Sequence, residues 1–153
     1  MPASRGFTLI ELVVALVVAG ILAVVAIPSF DSFVANQRVK TAGQELMLSL
    51  TYARSEAVKR NADVHVQPLG ADWSTGWEVI TDDDDVLRVT QAEAIAGVEI
   101  DGGAVSVVTF QRSGRVNASA TFSACDSGNK ASERVVTVNA SGRAQVTVDE
   151  RCT

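Results

Sequence analysis

FTLIELVVALVVAGILAVVAI, residues Phe7 to Ile27, is an apolar run that opens almost at the first residue and contains one acid, Glu11. At ~1.5 Å of rise per residue, about twenty residues of helix cover the roughly 30 Å hydrocarbon layer of a bilayer. Ahead of it stand Met-Pro-Ala-Ser-Arg-Gly, with a single cation, Arg5. A secretory signal would place a small-residue cleavage turn after its apolar stretch. Here Ala26-Ile27-Pro28 flows directly into an amphipathic segment. The expectation is a retained helix that spans a membrane over residues 7–28. An ionised carboxylate inside a bilayer costs roughly 3 kcal/mol, so intramembrane acids usually have a partner. Glu11 implies either such a partner or an acid snorkelling to the membrane surface. Ala15, Ala19 and Ala23, with Gly20 beside them, place small residues on one stripe where helix backbones can approach closely. Pro28 lacks an amide donor and is expected to kink or locally interrupt the helix.

Arg5-Gly6-Phe7-Thr8-Leu9-Ile10-Glu11-Leu12, continued by the apolar run to about Pro28, resembles the prepilin signature of type IV pilins and type II secretion pseudopilins. The resemblance implies cleavage between Gly6 and Phe7 by a prepilin peptidase, then methylation of the new amino terminus on Phe7. After cleavage Glu11 is the fifth residue, about one helical turn from that terminus. The family's expectation is that this carboxylate meets the ammonium of a neighbouring subunit as a filament grows. Pairing in low dielectric offsets the burial cost of both charges and fixes the stagger between helices.

Beyond Pro28 the chain suffices for one domain with its own core and is too short for two comfortable ones. The formal charge of −5 favours solubility and argues against broad electrostatic capture of nucleic acid. Two cysteines occur, Cys125 and Cys152. If the helix anchors the chain with Arg5 inside, everything after Pro28 faces the oxidising side of the membrane. A disulfide between them would stabilise by roughly 3–4 kcal/mol and pin the carboxy-terminal segment; the alternative is two reduced thiols.

From Ser29 to about Arg60, Phe30, Phe33, Val39, Ala42, Leu46, Leu50, Ala53 and Ala57 recur at threes and fours, with charged residues between them. The simplest reading is one long helix, its first half in the membrane and its second half packed on a domain, with Asn61 as the stop. The period then changes to two. Strands are predicted at Val64–Val66, Trp77–Ile80, Val86–Val89, Val105–Phe110, Ala120–Phe122, Val135–Asn139 and Ala144–Val148. Turns fall at Gly70, Gly76, Asp82–Asp85, Gly102-Gly103, Gly114, Gly128 and Gly142. Many short strands close together favour antiparallel hairpins, with the helix covering one face of the sheet. The fold class is α+β.

Trp73-Ser-Thr-Gly76-Trp77, Val108-Thr-Phe110-Gln-Arg-Ser-Gly114-Arg115 and Val138-Asn-Ala-Ser-Gly142-Arg143 are similar to the GspH/FimT family of minor pilins and minor pseudopilins, FimU-like proteins included. Some FimT-like members resemble DNA receptors and carry a carboxy-terminal Gly-Arg-x-Arg pattern. Here Gly142-Arg143-Ala144-Gln145 replaces the second arginine by a neutral amide. Among Arg112, Arg115, Arg134 and Arg143, the candidates for a DNA contact are Arg143 and Arg115. Each lost phosphate contact weakens such binding, and the acidic balance argues against it.

No catalytic constellation emerges. His65 is the lone histidine, within a strand pattern, and reads as structural. No nucleophile elbow or metal-ligand cysteine spacing is present, so no enzymatic activity, cofactor or metal is expected. Asp82–Asp85 lacks the alternation of a calcium loop and reads as a solvated hairpin tip. At least one of Trp73 and Trp77 should fill the core.

The resemblance implies a leader at residues 1–6, a membrane and filament-core helix at 7–28 and a periplasmic pilin domain at 29–153. It further implies a minor pilin priming type IV pilus assembly and supporting twitching motility, held in the inner membrane before entering the filament. Its partners would be other minor pilins, the major pilin and the prepilin peptidase/methyltransferase. The type II secretion pseudopilin is the alternative.

Overall fold

The computed structural model describes residues 7–128 and 131–149, with the side chains of residues 23–29 left undescribed. A single helix, α1, runs from Leu9 to Arg60 over 52 residues. Thr8 caps its start, and Asn61 ends it in the left-handed conformation at φ 53°. Asparagine tolerates that conformation, and its amide reaches back to the carbonyls of Ala57 and Val58. Lys59 and Arg60 set positive charge at the negative end of the helix dipole. The helix continues through Pro28, so the chain is not interrupted there, although Pro28 has no N–H to donate to the preceding turn.

Only the second half of α1 is seated on a domain. Ala35, Val39, Ala42, Leu46, Leu50, Ala53 and Ala57 form its buried stripe. Phe30 and Phe33, expected on that stripe, are instead 67% and 60% exposed. Full burial of a leucine or valine is worth ~1.5–3 kcal/mol, so Leu46, Leu50 and Val39 bind the helix firmly to the sheets. At Gly43 an added Cβ would stand 3.2 Å from Arg134 Cβ, which shows how closely helix and sheet approach.

The chain after Asn61 forms eight strands: β1 Val64–Pro68, β2 Gly76–Thr81, β3 Val86–Gln91, β4 Val98–Asp101, β5 Val108–Phe110, β6 Ala120–Asp126, β7 Arg134–Val138 and β8 Ala144–Val148. They make two four-stranded antiparallel sheets, ordered β3-β2-β1-β5 and β4-β6-β7-β8. The single sheet expected under α1 is thus two sheets sharing one helix. Val64 and Val66 from the first, and Ala120, Phe122, Ala124, Val136 and Val138 from the second, meet the helix stripe in one core.

Two strand predictions change. Val105 to Val107 stay outside β5, because Val105 N–H closes a turn on Gly102 O and Val105 O accepts from Trp73 Nε1 at 2.7 Å. Strand β4 is an addition to the strands that the sequence predicts. Both tryptophans are buried, and Trp73 meets Phe122 edge-on at 4.7 Å between ring centroids.

Candidate functional site

At the start of α1, Thr8 Oγ1 accepts from Glu11 N–H at 3.3 Å, while Glu11 Oε2 accepts from Thr8 N–H at 3.0 Å and from Thr8 Oγ1 at 2.8 Å. This reciprocal capping box satisfies amide donors that a helix start otherwise leaves open. The Thr-x-x-Glu spacing that announces it is visible in the sequence as Thr8 and Glu11. Glu11 is exposed, and its carboxylate is engaged within its own chain.

Around it lies a large unpartnered surface. Phe7 is 81% exposed, and every large apolar side chain from Leu9 to Leu22 is exposed on all sides of the helix. Soluble monomers seldom show contiguous apolar surface beyond a few hundred Å² (roughly 300–600 Å²). Ala15 and Ala19 are exposed within it. Among the described residues no helix is long and apolar enough to cross a membrane; the described side chains of this run stop at Leu22. Gly6 lies outside the described residues.

At the opposite end of α1 the two glycine-arginine motifs come together. Gln111-Arg-Ser-Gly114-Arg115 and Asn139-Ala-Ser-Gly142-Arg143 form tight turns, closed by Gly114 N–H on Gln111 O and Gly142 N–H on Asn139 O. Both glycines have positive φ, 75° and 76°. A Cβ on Gly142 would stand 2.0 Å from Gly114 O, so the turns touch backbone to backbone. Arg54 of α1 donates from Nε to Gly114 O at 3.0 Å and ties both turns to the helix. No sequence signal singled out Arg54.

Arg115 and Arg143 are exposed on these turns, while Arg134 lies at the far end of β7 over Gly43. The pole is not uniformly basic. Asp63 Oδ1 accepts from Arg112 N–H, and the acidic tip Asp82–Asp85 stands beside it. His65 joins that tip to the sheet, its Nε2 2.7 Å from Asp82 Oδ1 and its Nδ1 3.0 Å from Thr109 Oγ1. It is an anchoring residue.

Cys125 is half-buried on β6, with Sγ 3.6 Å from Ser123 Oγ. Cys152 lies outside the described residues. An open groove of about 830 Å³ passes Cys125 and is lined by Asp72, Glu99, Asp101, Asp126 and Glu133. Among the described residues no group of three or more histidine, cysteine or carboxylate side chains is set to hold a metal ion.

Buried Glu56, near the end of α1, binds Arg60 at 2.7 Å and Lys59 at 3.1 Å. The hydrogen bond from Arg60, then that from Lys59, holds its carboxyl below the usual carboxylate range.

The family profile described as Type II transport protein GspH matches residues 42–142, and that of the prokaryotic N-terminal methylation motif matches residues 1–27. Over 55 residues the chain is 42% identical to a fimbrial protein of Pseudomonas aeruginosa, covering 36% of each chain. Over 54 residues it is 43% identical to the type IV major pilin protein PilA of Myxococcus xanthus (strain DK1622), 35% of this chain and 24% of that one. The chain thus matches about a third or less of the length of these curated relatives.

Among solved structures, the type IV minor pilin FimU of Pseudomonas aeruginosa superposes with a TM-score of 0.65 at 25% identity, covering 79% of this chain and 99% of that one. The minor pseudopilin EpsH of the Vibrio cholerae type 2 secretion system superposes at 0.58 with 17% identity, covering 72% and 97%, which shows the shared fold.

Proposed function

The chain belongs to the GspH family, a minor pilin or pseudopilin of the type IV pilus or type II secretion machinery, and we propose that it is a minor pilin that primes assembly of a type IV pilus. The observation that carries this reading is the apolar surface of α1 from Phe7 to Leu22, which no part of the domain covers. Such a surface suits lipid first and other subunits' helices afterwards. The likeness to FimU, nearer in identity than that to EpsH, favours the pilus.

In this reading residues 1–6 are removed between Gly6 and Phe7, and Phe7 is then methylated by the prepilin peptidase/methyltransferase. Residues 7–28 hold the protein in the inner membrane in a single pass, with the domain in the periplasm, until it joins the filament. Glu11 exchanges its intrachain bonds to Thr8 for the ammonium of a neighbouring subunit, gaining charge-assisted bonds in a dry setting. A Cys125–Cys152 disulfide holds the end of the chain to β6. The partners are other minor pilins and the major pilin, and the work is geometric, without catalysis.

Deleting the protein should abolish surface pili and twitching. Normal piliation with failed release of exoproteins would transfer the chain to the type II secretion pseudopilus, the machinery that the family description names. A DNA contact through Arg143 and Arg115 is the weaker reading, since Asp63 and Asp82–Asp85 share their pole. Retardation of DNA by the full-length protein at moderate salt, lost in Arg143→Ala, would support it.

A further inference from the structure

Sheet edges carry unpaired backbone N–H and C=O groups that template pairing with another chain unless something blunts them. The two sheets have four edge strands, β3, β5, β4 and β8. Three are blunted. β3 has a register shift against β2 at Val79/Ile80, and its Arg88 reaches Glu45 of α1 at 2.8 Å. β5 has only three residues. β4 carries Glu99 and Asp101, and its open side is occupied: Ile100 N–H donates to Ser74 Oγ at 2.9 Å, and that hydroxyl lies 3.4 Å from Ile100 O.

β8 has none of these devices. Ala144-Gln145-Val146-Thr147-Val148 holds no charge and no proline, and its register against β7 is unbroken. Asp149 N–H donates to Glu133 O at 3.0 Å and Asn139 N–H to Arg143 O at 3.2 Å. With Thr147 opposite Val135 and Gln145 opposite Thr137, the alternation of an antiparallel ladder turns the N–H and C=O groups of Ala144, Val146 and Val148 to the open side. Among the described residues nothing bonds to them. Val148 is 65% exposed.

We propose that the open edge of β8 is a strand-pairing surface, and that its occupant is an edge strand of a different pilin-type subunit. This rests on the filament reading above in one respect: subunits whose helices start in one membrane all point the same way. The direction of β8 is fixed by its neighbours. Arg134, which opens β7, lies against Gly43 of α1, whereas Gly142, which precedes β8, lies against Arg54. β8 therefore runs back along α1, toward its amino-terminal half.

An antiparallel partner must run in the direction of α1. In this chain the edge strands that do so are β4, antiparallel to β6 and so aligned with β7, and β5, antiparallel to the returning β1. One is occupied by Ser74 and the other is three residues long. A twofold pairing of β8 with itself would set two α1 helices in opposite directions, which one membrane forbids. The fitting partner is therefore a foreign edge strand of about five residues, uncharged along its pairing side and running with its own helix.

The test uses full-length protein in its native host, with the other pilin-type subunits present. Val146→Pro removes one outward N–H and leaves Gln145 and Thr147 to hold the ladder, a placement edge strands tolerate. Val148→Lys puts a charge on the same edge. Recovery in sheared filaments and in detergent-extracted subunit complexes should fall at least tenfold in both variants. Their melting temperatures should stay within about 4 °C of wild type. Wild-type recovery of either variant overturns the proposal and leaves the filament reading standing.

Glu11→Ala probes the filament reading alone: its absence from filaments that contain wild type keeps that reading. Absence of the wild-type chain from filaments and complexes overturns both. A full-length homodimer that Val146→Pro abolishes overturns the choice of partner. Should Val146→Pro melt lower, amide exchange in the wild type decides. Val146 and Val148 amides slowed at least tenfold in filaments relative to the isolated subunit support the pairing, and equal exchange overturns it.

Discussion

Residues 9–22 and residues 35–57 belong to one helix, yet their apolar side chains meet opposite fates. In the first stretch leucine, valine and isoleucine surround the axis and all are exposed. In the second, Val39, Leu46 and Leu50 keep to one stripe with alanines and are buried against two sheets, while Leu48 alone of the large aliphatics faces out. Hydrophobicity by itself does not distinguish the two. Its angular distribution does: a stripe can be satisfied by the chain's own domain, while a cylinder has more apolar surface than one domain can cover. The acids follow the same division. Glu56 is buried between cations of its own helix, and Glu11 waits at an exposed end.

The contrast can be broken at several points. Leu46→Ala should cost the domain about 2–5 kcal/mol in chemical denaturation of the full-length protein in detergent. Gly43→Leu should cost roughly 1–3 kcal/mol by forcing side-chain atoms into the space of Arg134. Glu11→Ala should lower filament incorporation at least tenfold, scored by immunoblot of sheared pili, while leaving the melting temperature unchanged. A matching fall in stability would make Glu11 a folding residue.

Glu56 sharpens the contrast through pH. Its carboxyl titrates below the usual 4.5 in the folded protein, so the folded state binds fewer protons there than the unfolded one. The stability it contributes is present above about pH 4.5 and lost as pH falls through its lowered folded value. Melting of Glu56→Gln should therefore lie below wild type at pH 7, and the two curves should converge as pH falls through the lowered folded value of Glu56. A constant gap across that range would remove the ion pairs from the explanation. The smallest effect belongs to Leu16→Ala, within about 0.5 kcal/mol on domain stability. Equal losses at Leu16 and Leu46 would erase the distinction between the halves.

The helix, its stop at Asn61, most strands and the meeting of helix with antiparallel sheet were legible because each rests on local periodicity or turn chemistry. Long-range facts were not. Nothing in the order of strands reveals two sheets in place of one, since hairpin patterns look alike whichever sheet receives them. Val98–Asp101 is too short for alternation to stand out. Phe30 and Phe33 keep the helical period but lie before Ala35, where the buried stripe begins, and periodicity cannot say where a partner layer stops. Arg54 and Ser74 act only through contacts 60 and 26 residues away along the chain.

The unbroken passage of α1 through Pro28 has a mechanical corollary. About 78 Å of helix at 1.5 Å per residue joins the exposed apolar end to the head. A pull on the amino terminus arrives at the stripe from Ala35 to Ala57 as shear along its length, spread over many side chains at once. Load of that kind is resisted in parallel, and the head translates with its shaft instead of swivelling on it.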